Sequence, residues 1–121
     1  MRYKPIVFII LGFFSAFAHG MSKDTENEIS HLFDYLKSSS CQFNRNGTWY
    51  TASEAADHIN TKYQNLLKRG LIKTTEDFID RAASKSSMSG RPYLVKCDSS
   101  DSIESSIWFS TELNKYRSNA N

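Results

Sequence analysis

Cys41-Gln42-Phe43-Asn44-Arg45-Asn46-Gly47-Thr48-Trp49-Tyr50 is the stretch on which the fold of this chain turns. Asn-Gly between two short alternating segments is a strong hairpin signal, because both residues tolerate the positive φ that a tight turn demands. A two-residue loop at Asn46-Gly47 pairs Arg45 with Thr48, Asn44 with Trp49, and Phe43 with Tyr50. Side chains alternate along a strand, so Phe43, Tyr50 and Cys41 share one face and Asn44 and Trp49 the other. The first face reads as core. Asn46-Gly47-Thr48 is also a glycosylation sequon, which matters only in a eukaryotic secretory pathway.

On both sides of the hairpin the apolar spacing changes to helical. Ile29, Leu32, Phe33 and Leu36 form one stripe, predicting a helix over Ser22–Ser38 with Thr25 and Glu28 as its capping box. Ala55, Ile59, Tyr63 and Leu66/Leu67 mark a second helix over Ser53–Arg69, capped in front by Ser53 or Thr51 and stopped by Gly70. A third, short helix follows from Thr75 to about Ser84, with Thr74 and Asp77 as its capping pair. Ser84–Pro92 is loop by composition and leads into Tyr93-Leu94-Val95-Lys96-Cys97, an alternating strand. Asp101 with Glu104 is expected to open a last helix reaching Tyr116. That helix is apolar around much of its girth, so Trp108 is expected to be exposed or to mark a partner surface. Ser118–Asn121 is expected to be a disordered tail.

Ahead of this domain, Met1–Ala18 has the layout of a cleaved signal peptide: basic Arg2 and Lys4, an apolar run from Ile6, then Ala16-Phe17-Ala18. The run of roughly 13 residues is shorter than the ~20 a spanning helix needs. Cleavage after Ala18 would leave His19 first, and cleavage after Gly20 would remove it. The chain has 121 residues, with 15 Lys and Arg against 13 Asp and Glu, and Arg2 and Lys4 account for the whole excess. The mature chain is therefore formally neutral with its charges mixed. Such a chain is a poor candidate for nucleic acid or anionic membrane, which demand a basic patch, so no nucleic-acid partner is expected and no membrane span after cleavage. About 100 residues suffice for a single core and not for two, so the stretch from Ser22 to Arg117, residues 22–117, is expected to be one domain.

The two cysteines, Cys41 and Cys97, read as one disulfide in an exported protein. Closing a loop of roughly sixty residues stabilises by roughly 4 kcal/mol in the chain-entropy model. Neither cysteine sits in a C-x-x-C spacing, and His31 and His58 are not spaced for zinc, so neither a metal nor a cofactor is expected.

Chemistry could sit in two places. Glu54, His58 and Lys62 recur every four residues along one stripe of the second helix, either as a cleft wall or as a solvated face with ordinary pairing. The Ser84–Tyr93 segment, with Ser87, Ser89, Gly90, Arg91 and Tyr93, offers hydroxyls and amides that could cradle a small anion. It could equally be a loop whose hydroxyls satisfy their own backbone. As a hydrolase it would need one of its serines activated by His58, but no G-x-S-x-G elbow supports that.

Several motifs run in order: Phe43-x-Arg45-Asn46-Gly47, Glu54-Ala55 with His58-Ile59-x-x-Lys62, Thr75-Glu76-x-Phe78-Ile79, and Ala83-Ser84-x-Ser86-Ser87-x-Ser89-Gly90-x-Pro92-Tyr93-x-Val95. This ordered set resembles the YfeK-like family of small exported bacterial proteins of unknown function. The resemblance implies a Gram-negative periplasmic or secreted protein and a cysteine pair that staples rather than reacts. It implies no activity. It directs attention to Arg45, His58, Lys62, Arg91 and Tyr93, which stand in or beside the matching motifs. The expected fold is α+β, a single small domain with a short antiparallel sheet (the hairpin plus one strand) packed with about four helices. The expected function is a ligand-binding or protein-interaction module. Arg45, His58, Lys62, Arg91, Tyr93, Ser87 and Ser89 would form a polar cationic pocket for a small anionic ligand or an envelope protein. The alternatives are a small serine hydrolase and a structural or envelope-stress accessory.

Overall fold

The hairpin forms in the expected register, Phe43 opposite Tyr50 and Arg45 opposite Thr48, with Asn46 at φ 53° and Gly47 at φ 90° making the turn. In this computed structural model, which describes residues 20–120, the elements run in this order. Helix α1 is Lys23–Ser38, strand β1 Gln42–Arg45, strand β2 Thr48–Thr51, helix α2 Ala52–Lys68 and helix α3 Thr75–Ala82. Strand β3 is Leu94–Lys96, strand β4 Ile103–Glu104 and helix α4 Ser105–Ala120. The signal-peptide reading of Met1–Ala18 and the fate of His19 lie outside the described residues, as does Asn121. Among the described residues the architecture is α+β: four helices on an antiparallel sheet of order β2-β1-β3-β4.

Each helix boundary has a local cause. Ser22 caps α1 by accepting the Thr25 amide, so the expected Thr25–Glu28 box is not formed and Glu28 is spent elsewhere. Thr51 and Glu54 form a reciprocal capping box at the start of α2, and Thr74 and Asp77 do the same for α3. Gly70, at φ 71°, ends α2 in a Schellman motif, its amide bonding Leu67 O while the Leu71 amide bonds Leu66 O. That turn carries Ile72 back into the core.

The core lies between the sheet and the helices. Phe78 of α3 sits at its centre, with ring centroids 5.2 Å from Tyr63, 5.3 Å from Phe33 and 6.5 Å from Phe109. Cys41, just before β1, is bonded to Cys97, just after β3, and the bond ties together two neighbouring strands 56 residues apart in sequence.

The C-terminal third departs from the sequence expectation. Ile103-Glu104 adds a fourth strand to β3 instead of opening the last helix, so α4 begins at Ser105. Ser105, Trp108, Phe109, Glu112 and Leu113 then form its buried stripe. Trp108 is only 8% exposed, packed edge-on to Phe43 at 5.3 Å and Phe109 at 5.0 Å, so it is core and not a partner surface. Two polar residues on the stripe and the exposed Ile107 blur the apolar period, which is why the sequence misplaced Trp108. Those polar residues are satisfied: Ser105 Oγ donates to Ala83 O at 2.6 Å, and Glu112 Oε2 lies 2.7 Å from His31 Nε2. Ser118–Ala120, expected as tail, continue the helix. No helix among the described residues is long and apolar enough to cross a membrane.

Candidate functional site

Alternation along the hairpin puts Arg45 two residues beyond Phe43 on the core-facing side, at the end where the core opens. Between that end of the sheet and the first two turns of α2 lies a cavity of about 140 Å³. Its apolar wall is Phe43, Tyr50, Ala55, Ile59 and Tyr93, and its polar groups include Arg45, Glu54 and His58.

The positions of these groups follow from their elements. Arg45 lies over the Tyr50 ring, 5.1 Å from its centroid, and its Nη2 donates to Tyr50 Oη at 3.3 Å. Glu54, His58 and Lys62 fall on one stripe of α2 by the four-residue spacing. Glu54 Oε1 accepts the Thr51 amide at 2.9 Å, so this carboxylate closes the helix start. His58 and Lys62 both reach Tyr93, which packs from the segment leading into β3. Lys62 Nζ donates to Tyr93 Oη at 3.0 Å and to Lys85 O at 2.7 Å, and His58 Nε2 lies 3.2 Å from the same phenol oxygen. An ammonium can only donate, so the phenol hydrogen is free to point at His58 Nε2, which accepts it in the neutral ring.

Electrostatics here are one-sided. Burial, then the charges of Arg45 and Lys62, hold the His58 imidazole below its ordinary value. Burial, then Arg45 and Lys85, push the Lys62 ammonium down to about 8. Burial raises the Tyr93 phenol, and Arg45 partly opposes that. Among the described residues no carboxylate forms an ion pair with Arg45, His58 or Lys62. The arrangement is a hydrogen-bonded corner on an apolar hole, where Arg45, His58 and Lys62 form no ion pair with Glu54, the carboxylate in the lining.

The structure thus puts Arg45, His58 and Tyr93 in the cavity lining, joins Lys62 to it through Tyr93, and leaves Ser87, Ser89 and Arg91 apart from it. Ser87 and Arg91 are exposed. The serine loop serves the hairpin tip instead: Ser89 Oγ donates to Asn46 Oδ1 at 2.6 Å, and Asn46 Nδ2 donates to Ser86 Oγ at 3.1 Å. Ser86 Oγ also accepts the Met88 and Ser89 amides, and Ser84 Oγ donates to Ile79 O. His58 has Tyr93 as its partner rather than any of these hydroxyls, so the loop holds no serine–histidine pair. Sequence reasoning missed Tyr50 and Phe43 as cavity wall, although the parity that put them on the core face also puts Arg45 beside them. Among the described residues no group of three or more His, Cys, Asp or Glu is placed to hold a metal ion.

These features define a small α+β domain, stapled by one disulfide, with a cavity between its sheet and α2. Residues 23–117 match the family of unknown function DUF5329, and the chain belongs to that family. It is similar to an uncharacterized protein, YfeK, of Salmonella typhimurium, with 46% identity over 51 residues. That stretch covers 42% of this chain and 41% of the relative. No solved structure matches the chain.

Proposed function

We propose that this protein is an exported binding module whose cavity takes a small organic anion with an apolar body. The observation that supports this most is the convergence of Arg45, His58 and Lys62 beside an apolar cavity whose lining carboxylate, Glu54, is already engaged at the helix start. Burying cationic groups without a counter-charge costs stability, and a bound anion would recover it. Export accords with the disulfide, since such bonds persist in oxidising compartments.

The test is a thermal-shift screen of small organic acids with their uncharged amides alongside. A ligand held at 100 times its Kd stabilises the folded state by about 2.7 kcal/mol. Acids should raise the melting temperature of the wild type and leave Arg45→Gln unmoved. A screen in which no anion shifts the wild type more than the Arg45→Gln variant would end this reading.

A further inference from the structure

The cavity's size and its donors narrow the ligand further, and this step rests on the anion-binding reading above. A cavity of about 140 Å³ is close to the ~150 Å³ that accommodates one benzene ring in an apolar protein interior. That volume suits an apolar body the size of a single ring or a short alkyl chain.

The donors at the cavity are sparse for a phosphate-type head. Phosphate sites are built from several free backbone amides at a helix start or nest. Here the start of α2 borders the cavity, but its capping box already uses the Thr51 and Glu54 amides. Strand β1 is hydrogen-bonded on both edges, to β2 and to β3, and offers no free ladder. What remains is one guanidinium fork, an imidazole and a phenol. A carboxylate pairs with a single guanidinium fork and needs no further backbone donors.

Charge and hydrogen bonding then couple the ligand to a proton. The titratable and charged groups around His58 are Glu54 and Lys62 on its own helix, Arg45 from β1, Tyr50 from β2, Tyr93 from the segment before β3, and Lys85 behind Lys62. All the cations work against a charged imidazole until an anion joins them. When His58 takes a proton, Nε2 becomes a donor to Tyr93 Oη, which already accepts from Lys62. The phenol hydrogen is then released for another acceptor.

We propose that the cavity binds a small monocarboxylate with an apolar body, its carboxylate held by Arg45 and the Tyr93–His58 pair, and that binding takes up one proton on His58. No bond to carbon forms or breaks. The proton comes from solvent, and the carboxylate receives the phenol hydrogen bond that the imidazole gives up.

Calorimetric titration of the full mature chain with acetate, butyrate and benzoate tests this, with benzamide and inorganic phosphate as companions, in buffers of different ionisation enthalpy. Butyrate or benzoate should bind at least tenfold more tightly than benzamide, acetate should be weaker for want of an apolar body, and phosphate should not compete. Buffer dependence should report up to one proton absorbed per ligand, and affinity should fall by up to about tenfold per pH unit above neutrality. His58→Gln should abolish proton uptake while retaining weakened, Arg45-dependent binding, with circular dichroism confirming its fold. Benzamide binding as well as benzoate, or wild-type carboxylate binding without proton uptake, would overturn the proposal. If phosphate alone bound through Arg45, the carboxylate inference would fall and the anion reading would survive. If nothing bound through Arg45, both would fall.

Discussion

Two charged clusters in this molecule are built on opposite principles. On the helical side, Arg117 of α4 donates through Nε to Glu28 Oε2 of α1 at 2.8 Å and through Nη1 to Glu76 Oε2 of α3 at 2.7 Å. Thr75 Oγ1 adds a further donor to Glu28, and the Arg117 bonds lower both carboxyl pKa values. Every charge there has a partner, and the cluster clasps three helices together. On the sheet side, His58 and Lys62 meet at Tyr93, Arg45 lines the same cavity against Tyr50, and burial and mutual repulsion depress His58 and Lys62. A compensated cluster spends its charges on the fold, whereas the cations beside the cavity have no ion-paired carboxylate among the described residues.

The largest expected effect comes from cutting the bond that holds the sheet side together. Replacing Cys41 and Cys97 by Ser should cost about 2–4 kcal/mol in urea unfolding. The helical circular dichroism signal at low temperature should persist, because α1, α3 and the clasp do not depend on that bond. Unchanged denaturation midpoints under reductant would show that the bond contributes nothing to stability.

Next is Arg117→Met, which leaves Glu28 half-buried and unpaired. A loss of about 1–2 kcal/mol at neutral pH is expected, discounted for the solvent that reaches Glu76 and Arg117. Both carboxyls are depressed in the folded state, so their stabilisation is present above the ordinary carboxylate range and is lost as pH falls through it. Wild type and variant should therefore converge near about pH 3. Organic-acid shifts should be the same in both, and a loss of ligand response in Arg117→Met would break the division between the clusters.

Lys62→Met removes two hydrogen bonds and one disfavoured cation, so its net effect at pH 7 should stay within about 1 kcal/mol. The sign emerges with pH. Lys62 titrates at about 8 when folded against 10.5 as an ordinary lysine, so the unfolded chain binds more protons in that window. Wild-type stability should rise relative to the variant between those values, read from paired thermal melts at about pH 8 and 10. A difference that does not change with pH would place the ammonium in solvent.

Ser89→Ala should have the smallest effect, below about 1 kcal/mol, since it deletes only two exposed hydrogen bonds, one to Asn46 Oδ1 and one from the Arg91 amide. The organic-acid shift should not change, because the loop lies outside the cavity. A lost shift would return the serine loop to the site.

The legibility of these regions in the sequence follows the range of the forces involved. The hairpin register, the α3 cap and the Gly70 stop were readable because each depends on residues within about five positions of one another. The fate of Glu28 was not, since a capping position and a partner 89 residues away compete for the same carboxylate. Trp108 was misread because Ser105 and Glu112 are buried only once Ala83 and His31 are there to satisfy them. Of the candidate pocket, Arg45, His58 and Tyr93 line the cavity and Lys62 joins it through Tyr93, while Ser87, Ser89 and Arg91 stay on the loop.

The amino-acid sequence by itself determined an α+β domain, its hairpin, the stop of α2 at Gly70, the start of α3 and the pairing of its two cysteines, because alternation, periodicity and capping are local rules and two cysteines allow one bond. Tertiary structure alone decided which charges were paired and which were left over. Arg45 and Arg117 look alike in sequence, and only the packing of distant elements gives one of them two carboxylates and the other an apolar cavity.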